Sequence, residues 1–453
     1  MCVYRLPQLT KYFFGTSYPN TVNSSMKLTH TKDLQHFHSR MGIGSSCSQM
    51  QATSGKNALS LLENLIAQPP AKLPPPELTP LDEMVRQLDK NNKNPALIKQ
   101  YRKETNQLTV WWLEQIHRTE HPLQERLTLF WHNHFTTSAH KVHWPQVIYR
   151  QHLLLRRHAL GSFANLLQDI CNDPAMLIYL DAGKNVEKQP NENFARELLE
   201  LFTLGEGHYT ENDIISAARA FTGKRYALKK DEVIFTTKQH DAGQKTFLGK
   251  TGNFGADDIV QILLEHPRTA EFIAEKFWHN FINPDTPEKQ YITEWAKAFR
   301  ESGYQIPTLL TRIVESPVFW QQENRATFIK SPVEFTVGLL RELGLTQFKA
   351  YLGLNKLNTR LGQRLFYPPD VKGWRGGKTW LDNGSFVIRQ NFIRQVVHDH
   401  LEKNQMQNTS QEIDIGSLSA CLLPLPPIHA INPKQNIETQ LLALLSDPVY
   451  QLR

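Results

Sequence analysis

Along most of this chain apolar residues recur every three or four positions, the spacing of one face of an α-helix. Leu59, Leu62 and Ile66 set that rhythm over 57–67, and it returns over 81–88, 94–117, 122–137, 145–160 and 163–171. Pro95 suits a first helical position. Between the first two runs, QPPAKLPPPELTP carries six prolines, so 68–80 reads as an extended linker strapped to the surface. Asn172-Asp173-Pro174 is a stop, which splits 165–180 into two short helical pieces before the polar loop GKNVEKQPNEN. Further helices are expected at 256–265, 268–282, 287–302, 306–315, 331–343 and 356–363. Residues 403–436 are polar and Pro-containing, a mobile insertion by expectation, before a last helix at 437–445.

One region breaks the rhythm. RYALKKDEVIFTT alternates apolar and polar positions around a Lys-Lys-Asp turn and predicts a β-hairpin over about 224–237. HDAGQKTFLGKTGNFG, with four glycines, reads as a loop.

The chain has 453 residues, 40% hydrophobic and 21% charged, enough for a substantial core and far from disordered or collagen-like composition. Its net charge of +7 does not gather on one arm. Lys224, Arg225, Lys229 and Lys230 form the richest cluster and it is short, so nucleic acid is not an expected partner. The four cysteines form no CxxC pair. No stretch approaches the roughly 18 apolar residues of a membrane span. Residues 1–25 show no export signal and no apolar face, and are expected to be an unstructured leader. MKLTHTKDL, from Met26, reads as a more natural beginning, and as it stands the chain would be cytoplasmic.

Candidate chemistry sits in five segments. In PLQERLTLFWHNHFTTS, His134 extends the stripe of Leu123, Leu127 and Phe130, while His132 points roughly 160° away, toward a solvated or supporting role. A core histidine with one hydrogen bond is the plainer reading of His134. In NENFARELLELFTLG, Arg196 lies one turn from Glu192 and Glu200, and Glu197 flanks the buried stripe. In YTENDIISAARAFTG, Thr210 and Asp213 form a capping box and Gly223 a stop. Arg219 stands there among small apolar residues and needs an acid, the preceding helix being nearest by chain. His240, Asp241 and Lys245 share a glycine-rich loop. LFYPPDVKGWRGGKTWLDNG joins Trp374 and Trp380 to four glycines. It suits either a carbohydrate platform or a rigid loop capping a core. GxSxG, HExxH and GxGxxG are all missing.

Taken in order, WHNHF, NENFARELLELFTLGEGHYTENDIISAARAFTG, HDAGQKTFLG, KSPVEF with Arg341, LGQRLFYPPDVKGW and LLSDPVYQLR resemble the motifs of the domain of unknown function 1800 family. The resemblance spans about 125–453. It implies a bacterial, mostly helical protein, often exported, commonly neighbouring a second uncharacterised protein. Lys224 departs from the family, where a Trp is usual. With it, the expected fold is mostly α: a single multi-helical domain, 26–453, with one small β-hairpin.

The scattered polar motifs are expected to converge, so that His134, Glu197, Arg219, His240, Asp241, Lys245 and Lys330 line one cleft walled by Phe130, Trp131 and Trp374. The favoured function is a scaffold for the neighbouring gene product. The alternative is an enzyme, a metal-dependent hydrolase or an oxidoreductase. His240 or His134 would then be the general base, Asp241 or Glu197 its orienting group, and Arg219 or Lys245 the stabiliser of negative charge. A divalent metal on His and carboxylate oxygen is the sharper form of that alternative.

Overall fold

A computed structural model describes residues 26–68, 74–88, 94–406 and 413–453, with nothing to say of the side chains of 403–406. The expected leader 1–25 and linker residues 69–73 lie outside the described residues. The fold is 61% helical, and the described residues form 22 helices and two small antiparallel sheets. The mostly α expectation holds.

Helix starts follow local chemistry. Pro95 occupies the first turn of Pro95–Arg118, whose first free amides, Ala96 and Leu97, donate to the Asn94 side chain. Asn57, Asp173 and Ser331 cap in the same way. Residues 74–80 have no regular structure and run along Pro95–Arg118, where Trp111 donates to the Pro74 carbonyl at 2.7 Å and Thr79 to Glu104 at 2.6 Å.

The expected hairpin forms, β1 (Lys224–Ala227) pairing with β2 (Glu232–Phe235) in the register Tyr226 to Val233. A second one was not expected. β3 (Lys245–Phe247) pairs with β4 (Lys250–Gly252) inside the glycine-rich loop, turning through Leu248 and Gly249, both at positive φ. Three-residue strands are too short for alternation to show, and a Leu-Gly turn lacks the usual Asn-Gly or Asp-Gly marker. Within the expected insertion 403–436, of which 407–412 lie outside the described residues, stands a helix that was not expected, Ile415–Leu422, capped by Asp414. Cys421, Leu422 and Leu423 are buried there, a helical apolar face that the surrounding polar residues mask.

Two hydrophobic clusters make up the interior. The helix Pro122–His134 runs between them. Leu123, Leu127 and Trp131 enter one cluster. From the opposite flank Glu125 accepts from Trp112 Nε1 at 3.1 Å, and the His132 ring lies 5.3 Å from both Trp112 and Phe366, residues of the other. His132 is therefore buried, which corrects its solvated reading: the helix has no wet face on that side. Its Nε2 accepts from the Phe366 amide, and burial pushes its pKa down to about 3. Each large apolar side chain so enclosed contributes about 1.5–3 kcal/mol. Cys47, Cys171 and Cys421 carry free thiols. Among the described residues no helix is long and apolar enough to cross a membrane.

Candidate functional site

Four of the expected site residues meet at one end of Glu211–Ala220. Arg219 grips Asp241 with two nitrogens, Nε to Oδ2 at 2.6 Å and a terminal nitrogen to Oδ1 at 3.2 Å. The Asp241 amide donates to Thr222 Oγ1 at 2.8 Å, and His240 Nδ1 donates to the Thr222 carbonyl at 3.0 Å. Lys245, buried at the start of β3, spends its ammonium on the carbonyls of Asp241 (2.6 Å) and Gly243 (2.9 Å). A Cβ on Gly243 would sit 3.0 Å from Asp241 Oδ1 and 3.1 Å from the Arg219 guanidinium, so a larger residue would press on the pair. The Arg219 guanidinium holds the Asp241 carboxyl below its ordinary range. These bonds fasten the loop to the helix; Arg219, Asp241 and Lys245 are occupied by one another and by backbone.

Arg219's acid thus comes from the loop and not, as expected, from the preceding helix. There Arg196 pairs with Glu192 at 3.1 Å and Glu211 at 2.8 Å, while Glu200 faces Tyr209 and Lys372. The cause is local. After Asn193–Glu197 the helix widens into a π-turn, Leu198–Thr203, and the wider turn rotates Glu200 off the face it would share with Arg196 in a regular helix. Glu197 is half-buried, its pKa raised by burial and by Glu200.

His134 stands apart from this knot. It is buried against Trp131 and Phe135 and donates one hydrogen bond, 3.2 Å, to the Phe202 carbonyl in the π-turn. Burial pushes its pKa down to about 3, so it is neutral and a poor general base. Lys330 is elsewhere again, 3.3 Å from Glu342 and 3.8 Å above the Tyr450 ring. Trp131 is fully buried and walls no cleft. Among the described residues no group of three or more His, Cys, Asp or Glu side chains could hold a metal ion.

A large cleft, about 1190 Å³, is lined by none of His134, Glu197, Arg219, His240, Asp241 or Lys245. One wall is the helix Pro122–His134, presenting Arg126, Phe130 and Asn133; another is Pro267–Phe281, presenting Lys276 and Asn280. The helices touch through Phe130 and Phe277, ring centroids 5.0 Å apart. The glycine-rich loop around Trp374 closes a third side. Asn133 holds it by the backbone, Oδ1 accepting from the Trp374 amide at 2.8 Å and Nδ2 donating to its carbonyl at 3.4 Å. Gly373 makes this approach possible, at φ +77° with its Cβ position 2.8 Å from the Asn133 carbonyl. Trp374 and Trp380 are both buried, as a loop that caps a core requires.

Charge is sorted by depth. Asp285, Glu323 and Asp382 are exposed at the rim, as are Lys372, Arg375 and Lys378. Deeper in, Arg126 and Arg453 share one acid, Glu334, at 2.8 and 2.9 Å, while Lys276 stands on the other helix wall, where Glu275 is the acid that acts on it. Burial alone would raise the Glu334 pKa, yet Arg453 and Arg126 hold it at about 2; burial, reinforced by Arg126, pushes Arg453 down to about 9. Lys276 has no ion pair or hydrogen bond among the described residues; its ammonium lies 4.7 Å from the Phe272 ring centroid.

The chain matches, over residues 36–451, the model of a family described as Protein of unknown function (DUF1800). It belongs to that family. The ordered motifs of this DUF1800 chain are what tie its remote segments together: WHNHF supplies Asn133 and PPDVKGW the loop Asn133 holds. No curated protein and no solved structure matches the chain.

A signal for the cleft was present in the sequence and escapes a search for long-period repeats. Phe-Trp-His-Asn occurs twice, at 130–133 and 277–280, each time in a helix that opens with His-Pro, at 121–122 and 266–267. Both helices end alike, the Phe135 amide bonding to Trp131 and the Ile282 amide to Trp278.

Proposed function

We propose that the protein is a binding scaffold whose cleft takes an acidic segment of a partner protein. The observation that carries this is the charge of the sheltered part of the cleft, where Arg126 and Arg453 share a single acid, Glu334, and Lys276 lines the same cleft without an ion pair among the described residues. Buried positive charge in excess is costly and favours an anion brought from outside. At about 1190 Å³ the cleft exceeds the roughly 300–1,000 Å³ of ordinary small-molecule pockets, which suits a stretch of chain. The engagement of Arg219, Asp241 and Lys245 with one another and of His134 with the core weighs against the hydrolase and oxidoreductase alternatives. A neighbouring gene product remains the natural source of such a segment.

Titration of the intrinsic tryptophan fluorescence tests the reading, with hexaglutamate, hexaglutamine and polygalacturonate as probes. Saturable, salt-sensitive binding of hexaglutamate, with hexaglutamine inert, is the expected result. Equal response to hexaglutamine, or binding of polygalacturonate alone, would overturn it.

A further inference from the structure

The two Phe-Trp-His-Asn helices put equivalent asparagines on the same cleft, and only one of them has its amide fully employed. Asn133 uses both ends of its side chain on the backbone of Trp374. Asn280 uses one. Its Oδ1 accepts from Arg126 at 3.4 Å, whereas its Nδ2 is buried with no hydrogen-bond partner among the described residues. One turn earlier on the same face stands Lys276, which has no ion pair among the described residues, the neighbouring Glu275 being the acid that acts on it. Arg126, almost wholly buried on the facing helix, leaves its Nε unpartnered. An unmet donor in a sheltered place costs about 1–3 kcal/mol unless a partner arrives.

We propose that Lys276 and Asn280 form a seat for one oxyanion, a side-chain carboxylate of the bound segment, with Arg126 supporting it from behind. This rests on the cleft being the binding surface. The ammonium supplies the charge and Asn280 Nδ2 the directed hydrogen bond, a pairing that takes one carboxylate oxygen each. Arg126 is held in place by Glu334 and by the Gly42 carbonyl at 3.2 Å, so its charge stays at the back of the seat. The shape of the seat admits inorganic phosphate by the same chemistry, and the two sources separate in the test.

The informative variant is Asn280→Asp. It keeps an oxygen for Arg126 while turning the free donor into a repelling acceptor, so folding should survive where anion binding does not. Lys276→Met removes the charge, and Lys378→Met, at the exposed rim, is the control. Hexaglutamate and inorganic phosphate are titrated separately by calorimetry into the full chain, with each variant's melting temperature measured alongside. The expected result is a loss of hexaglutamate affinity of about tenfold or more in Asn280→Asp and Lys276→Met, as for a charge-assisted hydrogen bond, and less than about threefold in Lys378→Met. Hexaglutamate binding that ignores both inner variants overturns the seat and leaves the cleft reading standing. Phosphate binding sensitive to Asn280→Asp, without hexaglutamate binding, keeps the seat and removes the partner-segment reading. Binding of neither probe overturns both.

Discussion

Replacing Glu334 by Gln removes the one sheltered acid of the cleft with almost no change in shape. Arg126 and Arg453 would then share a neutral amide, with Arg40 stacked on Phe328 at 4.4 Å beside Arg453 at 4.5 Å. The fold lowers the Glu334 pKa from 4.5 to about 2. At about 1.36 kcal/mol per pKa unit that is roughly 3 kcal/mol in favour of the charged, folded form. The loss of one partner from a buried pair, about 3–5 kcal/mol, has the same size. With an unfolding entropy of about 2.1 cal/mol/K per residue, a chain of 453 residues should melt about 3–4 °C lower. Differential scanning calorimetry of both proteins from pH 7 to pH 3 is the assay. Because the folded pKa lies below the unfolded one, the stabilisation is complete above pH 4.5 and fades as pH falls toward 2. The gap between the two melting temperatures should therefore hold from pH 7 to 5 and narrow below. Equal melting at pH 7, or a gap undiminished at pH 3, would refute the electrostatic account.

Three other outcomes follow from the same contacts. His134 and His132, held neutral to about pH 3, and His38 and His117, to about 4, take up protons only on unfolding below the ordinary 6.5. Stability should thus fall with acidification from pH 6.5 to 4, by about 1.4 kcal/mol per pH unit for each histidine, and His134→Gln should flatten the slope by one proton's worth in urea titrations. Asp241→Asn breaks a partly exposed pair and should cost no more than about 1 kcal/mol globally, while hydrogen exchange of 240–252 speeds up; a melting drop of several degrees would contradict the fastening role. Gly373→Ala forces a side chain into a left-handed backbone and against Asn133, costing at least about 1–2 kcal/mol, and should red-shift the Trp374 emission as the loop lifts; Asn133→Ala should do the same.

Helical periodicity made most of the fold legible, since burying one face repeats every 3.6 residues whatever the partner. What stayed hidden depends on geometry that no spacing encodes. Strands β3 and β4 are too short for alternation, and Ile415–Leu422 presents a brief apolar face inside polar surroundings. The need of Arg219 for an acid was readable from its small apolar neighbours; which acid was not, because the π-turn rotates Glu200 away and the second hairpin delivers Asp241. His134 fulfilled its plainer reading, one hydrogen bond in a core. The large cleft is lined by amides and cations on two helices that carry the same four letters, a repeat too short for a periodicity to reveal.

The helix Pro122–His134 has a commitment on each flank, Leu127 and Trp131 to one hydrophobic cluster, Glu125 and His132 to partners in the other. Neither side can loosen while the other keeps its contacts, so the chain should unfold in a single calorimetric peak despite its length. The same coupling limits recombination. A chimera with a junction beside this helix inherits half of each interface, and exchange between relatives will succeed only when the helix travels with Trp112 and Phe366 on one flank and Phe163 and Phe277 on the other.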